Sequence, residues 1–165
     1  MEKPLFLTSL RELARCYQAF DIYSAAHLRV LGFTPSQFDI ITTLGNTPGM
    51  TSRELGDKTL ITKGTLTGVV DRLVAKGLVR RIASPTDGRC QIIQLTKKGA
   101  ALFVKTVPLH IAYLQNAFMD FTTADYTKTE KSLRKLYKAF NSAENRELKL
   151  PQRILKQEKS NVHQK

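Results

Sequence analysis

Thr62, Lys63, Thr65 and Thr67 bring four polar side chains into a six-residue run, and each is small or basic. Hydroxyl and ammonium groups at that spacing can exchange hydrogen bonds with the base edges exposed in a DNA major groove. Leu66, Val69, Val70 and Leu73 are interleaved at helical spacing. One face of the helix would therefore pack inward while the other presents the polar run. Thr62 stands where an N-cap would, with its hydroxyl ready to accept from unpaired N–H groups of the next turn. Ser52 and Arg53 open the helix before it, and Arg72, Arg80 and Arg81 follow it. Cations flanking a reader in this way suit phosphate contacts, which position a protein on a duplex without reading its sequence.

The preceding helix announces itself at Thr51, with Glu54 three residues on, the pattern of a capping box. Thr59-Leu60-Ile61 is a connection short enough for a helix-turn-helix. Two amphipathic helices joined by a short turn also occur in proteins that bind nothing, so the weight rests on what comes next. Gly77 is placed to end the second helix in a left-handed conformation. Residues 78–82 and 91–95 read as two strands around the turn-forming run Ser84-Pro85-Thr86-Asp87-Gly88. Helix-turn-helix plus hairpin is the winged-helix plan. Arg89 falls at the hairpin tip, where a narrow minor groove attracts arginine through its negative potential. Asp87 could hold that guanidinium by charge-assisted bonds.

The formal net charge of the 165-residue chain is +12. Residues 50–98 hold ten basic and four acidic residues, 1–49 hold four of each, and 146–165 hold six against two. The excess therefore gathers in the reader and the tail, as expected for a partner with a phosphate backbone. Chemistry beyond binding has little footing. The three histidines, His27, His110 and His163, keep no metal-ligand spacing with Cys16 or Cys90. No glycine loop is built to cradle phosphate, and no catalytic constellation stands out, so neither an enzyme nor a cofactor is expected. Two cysteines make no disulfide framework. No apolar run is long enough to span a membrane, and the first residues lack the pattern of a secretory signal. A cytoplasmic protein is the expectation.

Residues 5–30 carry Leu10, Leu13, Ala14, Tyr17, Phe20 and Ala25 in a broad apolar stripe. Thr34-Pro35 opens a second helix over 35–45, with proline in the first helical position. Thr96 opens a long helix to about Phe121, in which Pro108 predicts a kink. Thr122 and Asp125 form another capping box, followed by a last helix over 123–144. The first and last helices have little else in such a chain to bury against. A two-fold homodimer built from both ends is the expected solution, presenting two readers to a pseudo-palindromic double-stranded site. Residues 146–165 read as a basic, partly flexible tail. The architecture is thus one mainly α domain over 1–145 with a small antiparallel β wing. It has a winged helix-turn-helix at 35–95 and flanking dimerisation helices at 5–30 and 96–144.

Over about residues 5–145 the chain resembles the multiple-antibiotic-resistance regulator (MarR) family of bacterial transcription factors. The resemblance is carried by "LTSLRELARCYQAF", by "LGFTPSQFDIITTLGNTPGMTSRELGDKTLITKGTLTGVVDRLVAKGLVRR" and by "SPTDGRCQIIQLTKKGAALF". The family's Asp-x-Arg wing motif is present as Asp87-Gly88-Arg89; Gly88 stands where many members carry a second arginine. Leu95-Thr96-Lys97-Lys98-Gly99 matches the start of the family's long helix. The resemblance implies a homodimeric, sequence-specific regulator, most simply a repressor. An apolar-aromatic zone near Tyr17, Phe20, His27 and Phe38 would suit a small aromatic effector. Cys16 lies near Tyr17, Phe20 and Tyr23, similar to the reactive cysteine of a peroxide-sensing branch, so oxidation is a second expected trigger. The competing expectation is a winged-helix protein-docking or architectural module without specific DNA recognition.

Overall fold

The computed structural model describes residues 4–59, 61–85 and 90–147, in two units, Met1–Ala117 and Phe118–Lys165. The first unit holds α1 (Leu5–Val30), α2 (Pro35–Leu44), β1 (Met50–Thr51), α3 (Ser52–Lys58), α4 (Lys63–Ala75), β2 (Val79–Ala83), β3 (Gln91–Leu95) and α5 (Lys97–Gln115). The second holds α6 (Thr123–Glu147). Of the expected basic tail, residues 148–165 lie outside the described residues.

Polar caps and glycines set these boundaries. Thr34 accepts from the Gln37 N–H while the Gln37 side chain accepts from the Thr34 N–H. Thr51 and Glu54 make the same reciprocal pair at the start of α3, and Thr122 and Asp125 at the start of α6. Each satisfies backbone donors that the first turn leaves open. At Thr62 the expectation fails. Its backbone is extended as an N-cap requires, but its hydroxyl lies 3.0 Å from that of Thr65 and takes no cap bond. The α1 and α4 ends are alike. Gly32 and Gly77 take φ of 83° and 66°, and the N–H groups of Phe33 and Leu78 reach back to the carbonyls of Leu28 and Leu73. This left-handed closure is one glycine adopts without strain.

The core is built from α2, α3, α4 and the sheet. Ile40, Ile41 and Leu44 meet Leu55, Val69, Val70, Leu73, Val79 and Ile93, all fully buried. Leu66 joins them, so the whole expected inner face of α4 is interior. The sheet is antiparallel in the order β1-β3-β2, with Val79 opposite Leu95 and Ala83 opposite Gln91. β1 was not expected from sequence; it exists because Met50 and Thr51 pair with Ile93 and Ile92. β2 starts at Val79 rather than residue 78, because Leu78 closes the end of α4.

α5 contains Pro108 and stops at Gln115 rather than near Phe121. A 3-10 turn, Asn116–Phe118, follows it. In the second unit the rings of Phe118, Phe121 and Tyr126 gather on one another, with centroids 5.2 to 6.0 Å apart. These aromatics form a cluster of their own at the start of α6.

Candidate nucleic-acid interface

With its apolar side committed to the core, α4 turns Thr65 and Thr67 to solvent; Thr62 at its cap, and Ser52 and Arg53 of α3, are exposed as well. Gly64, between Thr62 and Thr65, has open space around it. The first turns of α4 are thus free of overhanging side chains from other elements at that position, as a helix entering a groove requires. The Lys63 side chain and residues Asp87 and Arg89 lie outside the described residues.

The flanking cations differ. Arg72 is exposed on α4. On β2, Arg80 donates from Nε to Gln94 Oε1 at 2.7 Å, and Gln94 in turn donates to the Pro48 carbonyl. Arg81 forms an ion pair with Asp71 of α4, Nη2 to Oδ1 at 2.6 Å. That pair ties the reader helix to the hairpin. It also leaves Arg81 with less uncompensated charge for a phosphate than Arg53 or Arg72. The hairpin itself is a backbone ladder, closed toward its tip by the Ser84 N–H on the Cys90 carbonyl.

α1, α2 and α5, with Ile61 from the turn before α4, line a half-open cavity of about 380 Å³. Tyr17, Phe20 and Phe38, three of the four residues expected around a ligand, line it. His27 does not. Its Nδ1 lies 3.0 Å from Nδ1 of His110, and its ring stacks on Tyr113 at 4.2 Å. The polar lining holds Asp21, Ser36, Asp39 and Thr42, and with them Ser24 and His110, whose Oγ and Nε2 lie 3.2 Å apart. Sequence reasoning missed Ser24 and His110. They stand on helices far apart in the chain, and no local spacing connects them. Cys16 is an exposed thiol on α1. Among the described residues no three His, Cys, Asp or Glu side chains gather as metal ligands, and no helix is long and apolar enough to cross a membrane.

Burial, and then the neighbouring His27, lower the pKa of His110 below the ordinary imidazole value. The unfolded chain therefore takes up this proton first as pH falls, and the fold is destabilised in acid. The contribution is complete above the ordinary imidazole range and is lost on descending through it. Thermal melts from pH 8 to pH 5 should show this loss in the wild type and a flatter profile in His110→Gln. Parallel profiles would assign the acid sensitivity to other groups.

A family model described as MarR family matches residues 31–89. The HTH-type transcriptional regulator MhqR of Bacillus subtilis (strain 168) is 35% identical over 100 residues, which are 61% of this chain and 69% of that protein. The multiple antibiotic resistance protein MarR of Escherichia coli (strain K12) is 36% identical over 76 residues, 46% of this chain and 53% of that one. Among solved structures, a cysteine-to-serine mutant of E. coli MarR complexed with operator DNA is similar with a TM-score of 0.71 and 28% identity, covering 81% of this chain and 99% of that one. The three-stranded winged helix, its exposed polar reader and these likenesses agree, and the chain belongs to the MarR family of DNA-binding transcriptional regulators.

Proposed function

We propose that the protein is a cytoplasmic, homodimeric repressor that occupies a pseudo-palindromic operator and is released by a small aromatic effector. The observation that carries this reading is the cavity bounded by α1, α2 and α5. One of its walls is α2, which packs directly on the reader helix α4. A ligand that spreads those walls would shift α4 through a close-packed core, which transmits strain rather than absorbing it. Tyr17, Phe20 and Phe38 offer aromatic faces to a compact aromatic ligand, and Asp21, Ser24, Asp39 and His110 offer polar groups that would orient it. Cys16, exposed on the cavity's own helix α1, supports oxidation as a second trigger.

Dimer formation follows from surfaces that one chain leaves bare. Leu5 is 90% exposed and Phe6 62%, while Ile111 on α5 is 52% exposed. Leu133, Tyr137 and Phe140 of α6 are exposed too. Apolar groups so exposed on several long helices mark a surface that a partner covers. Sedimentation should give the dimer mass at micromolar concentration. The polar surface of α4 argues against a docking module, since docking surfaces concentrate on aromatic or apolar anchors.

The test is a mobility-shift titration on a palindrome taken from upstream of the protein's own gene. Lys63→Ala and Thr65→Ala should each cost ~1–3 kcal/mol of binding and relax preference at one position. Arg53→Ala and Arg72→Ala should weaken all sequences alike and flatten the salt dependence by ~1 per contact. Arg81→Ala should flatten it less, because Asp71 already compensates that charge. Wild-type binding by both reader variants would overturn the helix assignment. Unchanged DNA affinity under saturating phenols and aromatic acids would overturn the effector reading.

A further inference from the structure

His27 of α1 and His110 of α5 face each other Nδ1 to Nδ1 at 3.0 Å. Two imidazoles can bond at this distance through one hydrogen only, one ring donating N–H and the other offering a lone pair. The surroundings hold both rings in place. His110 is 5% exposed, and Ser24 Oγ stands 3.2 Å from its Nε2; that hydroxyl can donate or accept, so it serves either tautomer. Tyr113 stacks on His27 with planes 4° apart. Tyr23 stacks on Tyr113 and donates its hydroxyl to the Tyr113 carbonyl. Phe38 of α2 sets its edge against His110, centroids 5.0 Å apart.

We propose that this pair is a proton-counting lock on the α1–α5 junction, holding with no added proton or one and releasing with two, so that acid weakens DNA binding. The neutral pair bonds as described. A first proton leaves one ring donating Nδ1–H to the lone pair of the other, and the bond becomes charge-assisted. A second proton removes the only acceptor. Two N–H groups and two positive charges then meet at a distance that suits neither, and the rings must part. His110 carries the edge of Phe38 with it. Phe38 belongs to α2, whose Ile41 and Leu44 share the core with Val69, Val70 and Leu73 of α4. Displacement at the lock therefore reaches the reader.

Other groups also face this site among the described residues. Asp21 of α1 and Asp39 of α2 line the same cavity as His110. Burial and then Tyr113 raise the pKa of the Tyr23 phenol, which moves it further from the range concerned. Burial and then His27 lower the pKa of His110, so its proton binds below the ordinary imidazole range.

The experiment uses the full chain with His163→Gln, which leaves only these two imidazoles. Their NMR signals are followed from pH 8 to pH 4.5, and affinity for the operator palindrome is measured at fixed salt from pH 8 to pH 5.5. The two rings should titrate as a coupled pair in two steps, the lower step below the ordinary histidine range. Affinity should fall on the order of tenfold on acidification. His27→Gln keeps a group able to bond His110 while removing the second cation. It should bind normally at pH 7.5 and lose most of the acid-induced fall. Independent titration of both rings near the ordinary value would overturn the proposal, as would identical affinity profiles in the two proteins. If His27→Gln fails to fold, the wild-type titration with His110→Gln decides by the same criteria.

Discussion

Gly99→Ala should destabilise the protein by about 3 kcal/mol, the upper end of what forced overpacking ordinarily costs. Gly99 sits in the first turn of α5, and a Cβ there would fall on the carbonyl oxygen of Leu78. The neighbour is backbone, so no rotamer change can relieve the overlap. The Leu78 carbonyl is also in use, accepting from the Thr96 N–H at 3.0 Å. Thr96 Oγ1 meanwhile donates to the Gly77 carbonyl at 2.7 Å and accepts from the Gly99 N–H at 3.0 Å. One threonine thus fastens the end of α4, the start of β2 and the start of α5 together, and only a residue without a side chain lets them approach. Urea unfolding of Gly99→Ala should show the loss. Gly64→Ala, at a position with nothing within 4 Å, should be neutral or stabilising. Equal losses in the two variants would remove the steric explanation.

The same junction shows what could be read in advance. Leu95-Thr96-Lys97-Lys98-Gly99 matched a family pattern, and Thr96 was expected to open a helix; both are local features. The reason for the glycine was not local, because it is the Leu78 carbonyl, supplied by a segment across the fold. Capping residues and the 3.6-residue apolar period decided most boundaries. Thr34, Thr51, Thr96 and Thr122 all begin helices, and Leu66, Val69, Val70 and Leu73 are all buried. What escaped depended on partners distant in sequence. Two-residue β1 has no pattern of its own and takes its form from β3. Thr62 bonds a neighbouring hydroxyl in place of a backbone N–H. Likewise, His27 was expected in the apolar-aromatic zone with Tyr17, Phe20 and Phe38, yet His110 lines the cavity and His27 lies against its ring.

Arg89→Ala should lower operator affinity strongly while leaving the dimer and its melting temperature unchanged. Arg89 lies outside the described residues, and the two strands on either side of it have a ladder and a core of their own. The ladder from Val79–Leu95 to Ala83–Gln91 is backbone, and the core beneath it is closed by Val79 and Ile93. Removing one guanidinium beyond that ladder should therefore cost no fold stability. The binding cost is different in kind. An arginine in a narrow minor groove meets a focused negative potential, and its loss should cost ~1–3 kcal/mol. The salt dependence should also flatten by ~1, the mark of one cation no longer displacing counterions. Asp87→Ala should act the same way but more weakly, since the guanidinium remains and only its orientation is freed. Charge-assisted contacts and counterion release supply the gain that each variant would lose. With Gly88 between Asp87 and Arg89, Arg89 is the single cation of the Asp-x-Arg motif, which concentrates the effect on one residue. Affinity, salt slope and melting temperature should be measured together on both variants. Unchanged affinity for Arg89→Ala would mean that the wing stays off the duplex, and a fall in melting temperature large enough to explain the lost binding would move the effect from recognition to folding.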